Sequence, residues 1–334
     1  MKTTAGKWFL LSIALAMPVV CPRARAGDAG PVLKFDFVKN HPLVYAVDST
    51  EKNMTDINGI VQGRTQSSIT RTTSESHCKI RLTPEKKNAD GSWHVRYEPL
   101  DFTVSVDAYS PRGHAITSLC NGLEVKGTQN GIVTIDTTKE IGIQQAQGFK
   151  QTLYPQLLSG YLDIAPSGKV VNLGGDLPFV DFWTSQLKMH FGFFDLLLSD
   201  QPVAPGGSWD ETLSLKNSQG LKFGDEGLVE TNTFSRAGKD DGGTTTLFAS
   251  VSLDQKDVPA SMDQLGENTA LNISEMSIHK NDTFGFDVNA GKLINSSDTS
   301  SFRCTLDALV QGSSMSVTID VDATRKITLL PEQE

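Results

Sequence analysis

The sequence predicts a mainly β protein: an antiparallel curved sheet or half-barrel built from two related units, with one amphipathic helix packed on its concave face. Three observations carry this prediction. Apolar residues recur with a period of two along most of the chain. One hairpin pattern occurs twice. Only one strongly apolar segment has the three-and-four spacing of a helix.

Taken in order, residues 1–26 read as an export signal. Lys2 and Lys7 form a charged start, Trp8 to Val20 is a short apolar core, and Ala24-Arg25-Ala26 offers small residues at a cleavage site. Cleavage is expected after Ala26, with exported, periplasmic or secreted localisation. The alternative is a lipoprotein anchored through Cys21. Val32 to Phe37 then alternates (Leu33, Phe35, Phe37), as does Leu43 to Val47. Gly59 to Thr72 is polar, like a solvated or edge strand. Asp90-Gly91 marks a turn before Trp93 to Tyr97, and Phe102 to Val106 alternates again. A weaker helix is expected over Gly113 to Asn121. Late in the chain, Leu247 to Leu253, Phe302 to Val310 and Met315 to Ala323 each place apolar side chains on one face and polar ones on the other.

The repeated pattern is Asp163-Ile-Ala-Pro-Ser-Gly168-Lys169-Val-Val-Asn172 and Asp287-Val-Asn-Ala-Gly291-Lys292-Leu-Ile-Asn295. Each copy reads as a strand, a loop closed by a glycine at positive φ, and a returning strand. The second loop is one residue shorter. One copy falls late in each of two units, 27–199 and 200–334, which are expected to form one compact domain.

Between the copies, residues 177–198 carry the helical stripe: Phe179, Trp183, Leu187, Phe191, Phe194 and Leu198. Asp176 can cap this helix, and Pro178 sits in its first turn. Pro202 and Pro205-Gly206-Gly207 end it. If the stripe faces a curved sheet, Phe179, Phe182, Trp183, Leu187, Phe191 and Phe194 are the candidate ligand-binding residues, lining a pocket for an acyl chain or another hydrophobe. The competing expectation is that the stripe completes the core.

Charge excludes some partners. Removing the four basic groups of the leader from 30 leaves 26 against 39 acidic residues, a net charge of −13. An acidic chain without a basic cluster is a poor match for nucleic acid or anionic lipid surfaces. After the leader no segment is apolar enough for a transmembrane helix. Three cysteines follow it: Cys78, Cys120 and Cys304. Cys78 and Cys304 lie on apolar faces, where a buried free thiol is common. If a bridge forms, Cys78–Cys120 is the pair closer in sequence.

Catalytic chemistry is not legible. The Gly-Lys turns lack the first glycine of a phosphate loop, being Asp163 and Phe286 there, and Val170 and Leu293 replace its Ser/Thr. Ser185-Gln-Leu-Lys188 spells an acyl-serine motif, but Ser76-His-Cys-Lys79 spells it too, and no companion element follows. The six histidines are scattered without metal-ligand spacing. The expectation is a non-enzyme without cofactor or metal.

The order of an exported leader, the Leu162 to Val171 hairpin, Leu177-Pro178, and Pro202-Val-Ala-Pro-Gly-Gly-Ser-Trp209 resembles a family of bacterial secreted proteins known only as a domain of unknown function. Lys39-Asn-His-Pro42 departs from the Lys-Gly-Gln-like turn expected there. In architecture that family is similar to periplasmic lipoprotein-localisation carriers. The resemblance implies a half-barrel holding acyl chains beneath a helical lid, and it transfers no catalytic residue. The functional expectation is an envelope protein that binds a hydrophobic ligand between sheet and helix. The alternatives are a scaffold that docks an envelope partner without a small ligand, and an enzyme with an unrecognised site.

Overall fold

The computed structural model describes residues 19–20, 31–61, 64–121, 124–153, 159–175, 196–215, 217–218, 221–223, 228–238, 240, 242–262, 269–310 and 313–331. The strands are β1 (Val19–Val20), β2 (Leu43–Val61), β3 (Arg64–Lys87), β4 (Trp93–Ser110), β5 (Gly113–Cys120), β6 (Glu124–Gln129), β7 (Ile132–Asp136), β8 (Gly160–Ile164) and β9 (Val170–Gly175). They continue as β10 (Ser208–Leu215), β11 (Asn217–Ser218), β12 (Leu221–Phe223), β13 (Leu228–Arg236), β14 (Thr244–Met262), β15 (Thr269–Asp287), β16 (Lys292–Val310) and β17 (Ser313–Leu329).

All pairings are antiparallel. The order β9-β8-β4-β3-β2-β17-β16-β15-β14-β13-β10 forms one sheet. β17 pairs with β2 from Leu329–Tyr45 to Ser314–Ile60, so the same sheet runs through both halves of the chain. The lower half of β4 pairs with β8, whereas its upper half turns to β5, which continues into β6 and β7. Among the described residues no pairing joins the two ends, and the sheet is open. Strands of 19 residues such as β2, β14, β15 and β16 are about 60 Å long at about 3.3 Å per residue. Prolines in the long strands sit beside breaks in register: Pro84 of β3 and Pro99 of β4 flank shifts between those two strands, and Pro259 of β14 lies two residues after Asp257, which has a φ of 53°. These are places where a missing N–H is tolerated and a bulge bends the strand.

The repeated pattern lies on two hairpins, β8–β9 and β15–β16, with Gly168 at a φ of 90° and Gly291 at 61°. A segment expected to be a strand joins them. Val32 to Phe37 makes no ladder; it is a strap that buries Leu33, Phe35 and Phe37. Phe35 N–H donates to Pro166 O at 2.7 Å, and Asp36 N–H donates to Gly291 O at 2.9 Å. In the sheet β8 and β16 are five strand spacings apart, about 24 Å if flat. Two consecutive residues of the strap touch both turns, which requires the sheet to curl into a half-barrel closed at this end. Glycine is required at both turns. A Cβ on Gly168 would fall 2.6 Å from Leu196 O and from the Phe35 ring, and one on Gly291 would fall 2.7 Å from Asp36 N.

A second irregular segment completes the base. Leu196, Leu197 and Leu198 are buried, Leu198 N–H donates to Ser167 O at 2.8 Å, and Trp209 Nε1 donates to Leu197 O at 3.0 Å. Phe35 packs edge-on against Phe286 and stacks with Phe37, which meets Trp93 edge-on. Tyr45 donates its hydroxyl to Leu293 O at 3.0 Å, tying β2 to β16 across the base.

The helix expected at 177–198 lies outside the described residues from 177 to 195. Its last three positions are not helical, because Leu196–Leu198 run irregularly through the base core. One α-helix is described, α1 (Ile143–Leu153), and its polar, glutamine-rich sequence gave little signal. Ala146 is buried and Phe149 packs on the base core. The helix expected over Gly113 to Asn121 is strand β5: pairing with β4 and β6, and full burial of Leu119, override the weak local pattern. The polar stretch 59–72 ends β2 and begins β3. Residues 64–70 run past the last β4 pairing, Arg71–Tyr109, and form an edge among the described residues, as their composition suggests.

Candidate functional site

The strand registers define what the concave face offers above the base. Its apolar floor ends at a row in which Asp282, Asp298, Arg325, Ser49 and Ser76 lie side by side. The next row toward the open end contains Glu211, Asn232, Lys280, Ser300, Glu51 and Ser74. Together these rows form a polar belt inside the half-barrel. Arg325 Nε donates to Asp298 Oδ2 at 2.6 Å, and each side chain is only 6% exposed. Lys280 Nζ meets Asp282 Oδ2 at 3.2 Å. Ser49 and Ser76 share a hydroxyl hydrogen bond of 2.7 Å. A hollow of about 700 Å³ is lined here by Ser49, Ser76, Val104, Leu119, Asp298 and Arg325, among others. Burial raises the Glu51 carboxyl above its ordinary range. Burial also raises Glu211, helped by Asp200 and opposed by Lys169.

Beyond the belt the face turns apolar on β14 to β17. Four successive rows bring together Leu253, Ile278, Phe302 and Val321; then Met276, Cys304 and Ile319; then Ile273, Leu306 and Val317; then Leu271, Ala308 and Met315. Ile273 and Met276 are fully covered, whereas Ile278, Phe302, Leu306, Val317, Ile319 and Val321 stay partly open. From Phe302 to Ala308 the panel is about 20 Å long. A second hollow, about 660 Å³, lies at its far end against Leu271, Ala308 and Met315.

The outward face of the same strands is mainly polar, serine and threonine with charges set among them, and carries exposed Phe248 and Leu309. Arg303 of β16 reaches Glu275 of β15 at 3.3 Å and Asp320 of β17 at 3.5 Å. Lys52, Arg71, Lys79, Lys256, Asp322 and Lys326 face the same way. A membrane-spanning barrel needs the reverse arrangement, an apolar band outside and a polar lumen.

The six candidate ligand residues, Phe179, Phe182, Trp183, Leu187, Phe191 and Phe194, lie outside the described residues. Sequence reading identified the apolar alternation of β14, β16 and β17 but assigned it to the core. It missed the belt. The available signal was charge in phase with apolar neighbours: Asp298 precedes Phe302, Cys304 and Leu306 at even spacing, and Arg325 lies between Ala323 and Ile327.

Two other expected features add no reactive group to this face. Cys78, Cys120 and Cys304 are all free thiols. Cys78 points into the core opposite Val47 and Phe102, while Cys120 is exposed at the end of β5. Burial pushes the Cys78 thiol up to about 12, with Asp101 adding to it, and burial pushes Cys304 up to about 11, so neither is a ready nucleophile. The two repeated aspartates do different work. Asp287 accepts the N–H groups of Asn289 and Ala290 and orders its turn. Asp163 pairs with His94 at 2.7 Å and accepts from Asn172 at 3.1 Å.

Desolvation pushes the Asp163 carboxyl up, but hydrogen bonds from His94, Asn172 and Asn88 outweigh it and hold the group below its ordinary value of 3.8. Its contribution to stability is therefore present above that value and disappears as pH falls through the lower folded-state value. Asp163→Asn is expected to lower the urea midpoint at pH 7, with the gap to wild type closing below about pH 3.8.

No family model matches the chain, and no curated protein matches it. Among solved structures it is similar to lipovitellin, described for its lipid–protein interactions, at 9% identity and a TM-score of 0.41. That match covers 90% of this chain and 26% of lipovitellin, so the chain spans about a quarter of that protein. It is also similar to an outer membrane channel from Pseudomonas putida F1, at 10% identity and a TM-score of 0.29, covering 91% of this chain and all of that one. At these scores the likeness assigns neither a family nor a function, and the resemblance to the secreted family and the localisation carriers gains no family match.

Proposed function

We propose that this is an exported, non-catalytic envelope protein that binds a hydrophobic ligand, an acyl chain or similar hydrocarbon, on the concave face of its half-barrel. The observation that carries the reading is the partly open apolar panel on β14 to β17. It extends well beyond the base core, on strands whose other face is mainly polar. Apolar surface that folding leaves open contributes nothing to stability, whereas a chain laid along it gains about 25 cal/mol for each Å² removed from water. The closed base directs entry to the open end.

Titration with an environment-sensitive apolar fluorophore tests this. Wild type is expected to bind it saturably. Ile319→Asp, at the centre of the panel and remote from the base core, is expected to weaken binding by about tenfold or more while circular dichroism keeps its strand signal. Equal binding by both proteins would remove the panel as the site.

A scaffold role has one specific observation in its favour. β7 presents Ile132 and Val133 at 71% and 52% exposure on a strand whose ladder partner among the described residues is β6, with only its last residue, Asp136, bridged on the other side, to Ile141. Such an edge can accept a partner strand. Val133→Lys separates the readings, because it blunts that edge and leaves fluorophore binding intact if the ligand occupies the panel.

A further inference from the structure

Building on the hydrophobic-ligand reading, we propose that the polar belt is a headgroup subsite. It holds the zwitterionic, ammonium-bearing headgroup of an amphiphile whose hydrocarbon lies along the apolar panel toward the open end.

Ionised groups inside a concave apolar face carry a desolvation cost that pairing only partly offsets. A face meant for hydrocarbon alone would do better with aliphatic residues at Asp298 and Arg325. Instead the pair sits 6% exposed in the wall of a hollow of about 700 Å³, beside the hydroxyls of Ser49 and Ser76. Both signs of charge and several hydroxyls therefore face a space large enough for a headgroup.

Arg325 is matched by Asp298, and Lys280 by Asp282. Glu51 and Glu211 occupy the same belt as further carboxyls. Glu211 is 7% exposed, and its Oε2 has no hydrogen-bond partner among the described residues. Among the described residues carboxyl groups still outnumber basic ones when Lys169, which acts on Glu211, is counted, and this disfavours a net anionic headgroup and favours an ammonium group. Arg325 and Lys280 supply the cationic side for the phosphate end of the same headgroup.

The belt lies between the sealed base and the panel, so a headgroup there leaves its chains only one direction. The panel above it, about 20 Å long, accommodates them.

The test uses the full exported chain, incubated with vesicles containing equal amounts of phosphatidylethanolamine and phosphatidylglycerol with matched acyl chains. Protein is reisolated, and its lipids are extracted and weighed by mass spectrometry. Wild type is expected to hold the zwitterionic lipid about tenfold over the anionic one. The double variant Asp298→Leu/Arg325→Leu is expected to bring that ratio below about twofold. Glu51→Gln, a near-isosteric change, is expected to reduce the preference without disturbing the fold. Equal capture of both lipids by wild type overturns the proposal, as does a preference that survives in both variants. If wild type binds the apolar fluorophore yet shows no headgroup preference, the belt assignment alone falls. If it binds neither fluorophore nor lipid, the hydrophobic-ligand reading beneath it falls as well.

Discussion

Phe35→Ala is expected to destabilise the protein by about 3–5 kcal/mol, the range for emptying a large aromatic from a packed core. Phe35 is 2% exposed and packs against Phe37 and Phe286, with the Gly168 turn closing over its ring. Its backbone N–H holds Pro166 O while the next residue holds Gly291 O, so the strap joins the two hairpins that the curled sheet brings together. Removing the ring leaves those hydrogen bonds without the packing that positions them. Trp93 and Trp209 both lie in the base, and urea unfolding followed by tryptophan emission reads the loss directly. Val38→Ala, at a side chain 63% exposed just past the strap, is expected to stay within about 0.5 kcal/mol of wild type. Equal effects at the two positions would mean that the strap does not close the base.

Arg325→Leu is expected to cost a similar amount, about 3–5 kcal/mol, for a different reason. The guanidinium donates to Asp298 at 2.6 Å with both side chains nearly inaccessible. Truncating one partner strands a buried carboxylate. Replacing both partners, Asp298→Leu/Arg325→Leu, removes the stranded charge and should return stability to within about 1 kcal/mol of wild type, or above it. Denaturant midpoints of the two single variants and the double variant form the cycle that checks this. Additive losses in the double variant would show that the pair is not an isolated unit of the belt.

Much of the architecture was legible because β structure with one buried face writes itself as alternation. Leu247 to Leu253, Phe302 to Ala308 and Met315 to Val321 specified face and phase. Gly168 and Gly291 marked turns because few other residues occupy positive φ. Three things were not legible. Leu33, Phe35 and Phe37 alternate as a strand does, but only tertiary structure shows that their partners are two turns rather than a ladder. β5 lacks alternation, and its conformation comes from its neighbours. The belt escaped because Asp298, Arg325 and Glu51 read individually as solvated residues, and only the register aligns them on one concave row. The site residues expected at 179–194 remain outside the described residues, so the binding face rests on the sheet.

The central claim is that this concave face carries an amphiphile. Native mass spectrometry of gently purified, detergent-free protein tests it most directly. The expected result is a mass excess of a single bound lipid close to one per chain, released on organic extraction and lost in Ile319→Asp. A bare polypeptide mass that stays unchanged after incubation with lipid vesicles would contradict it.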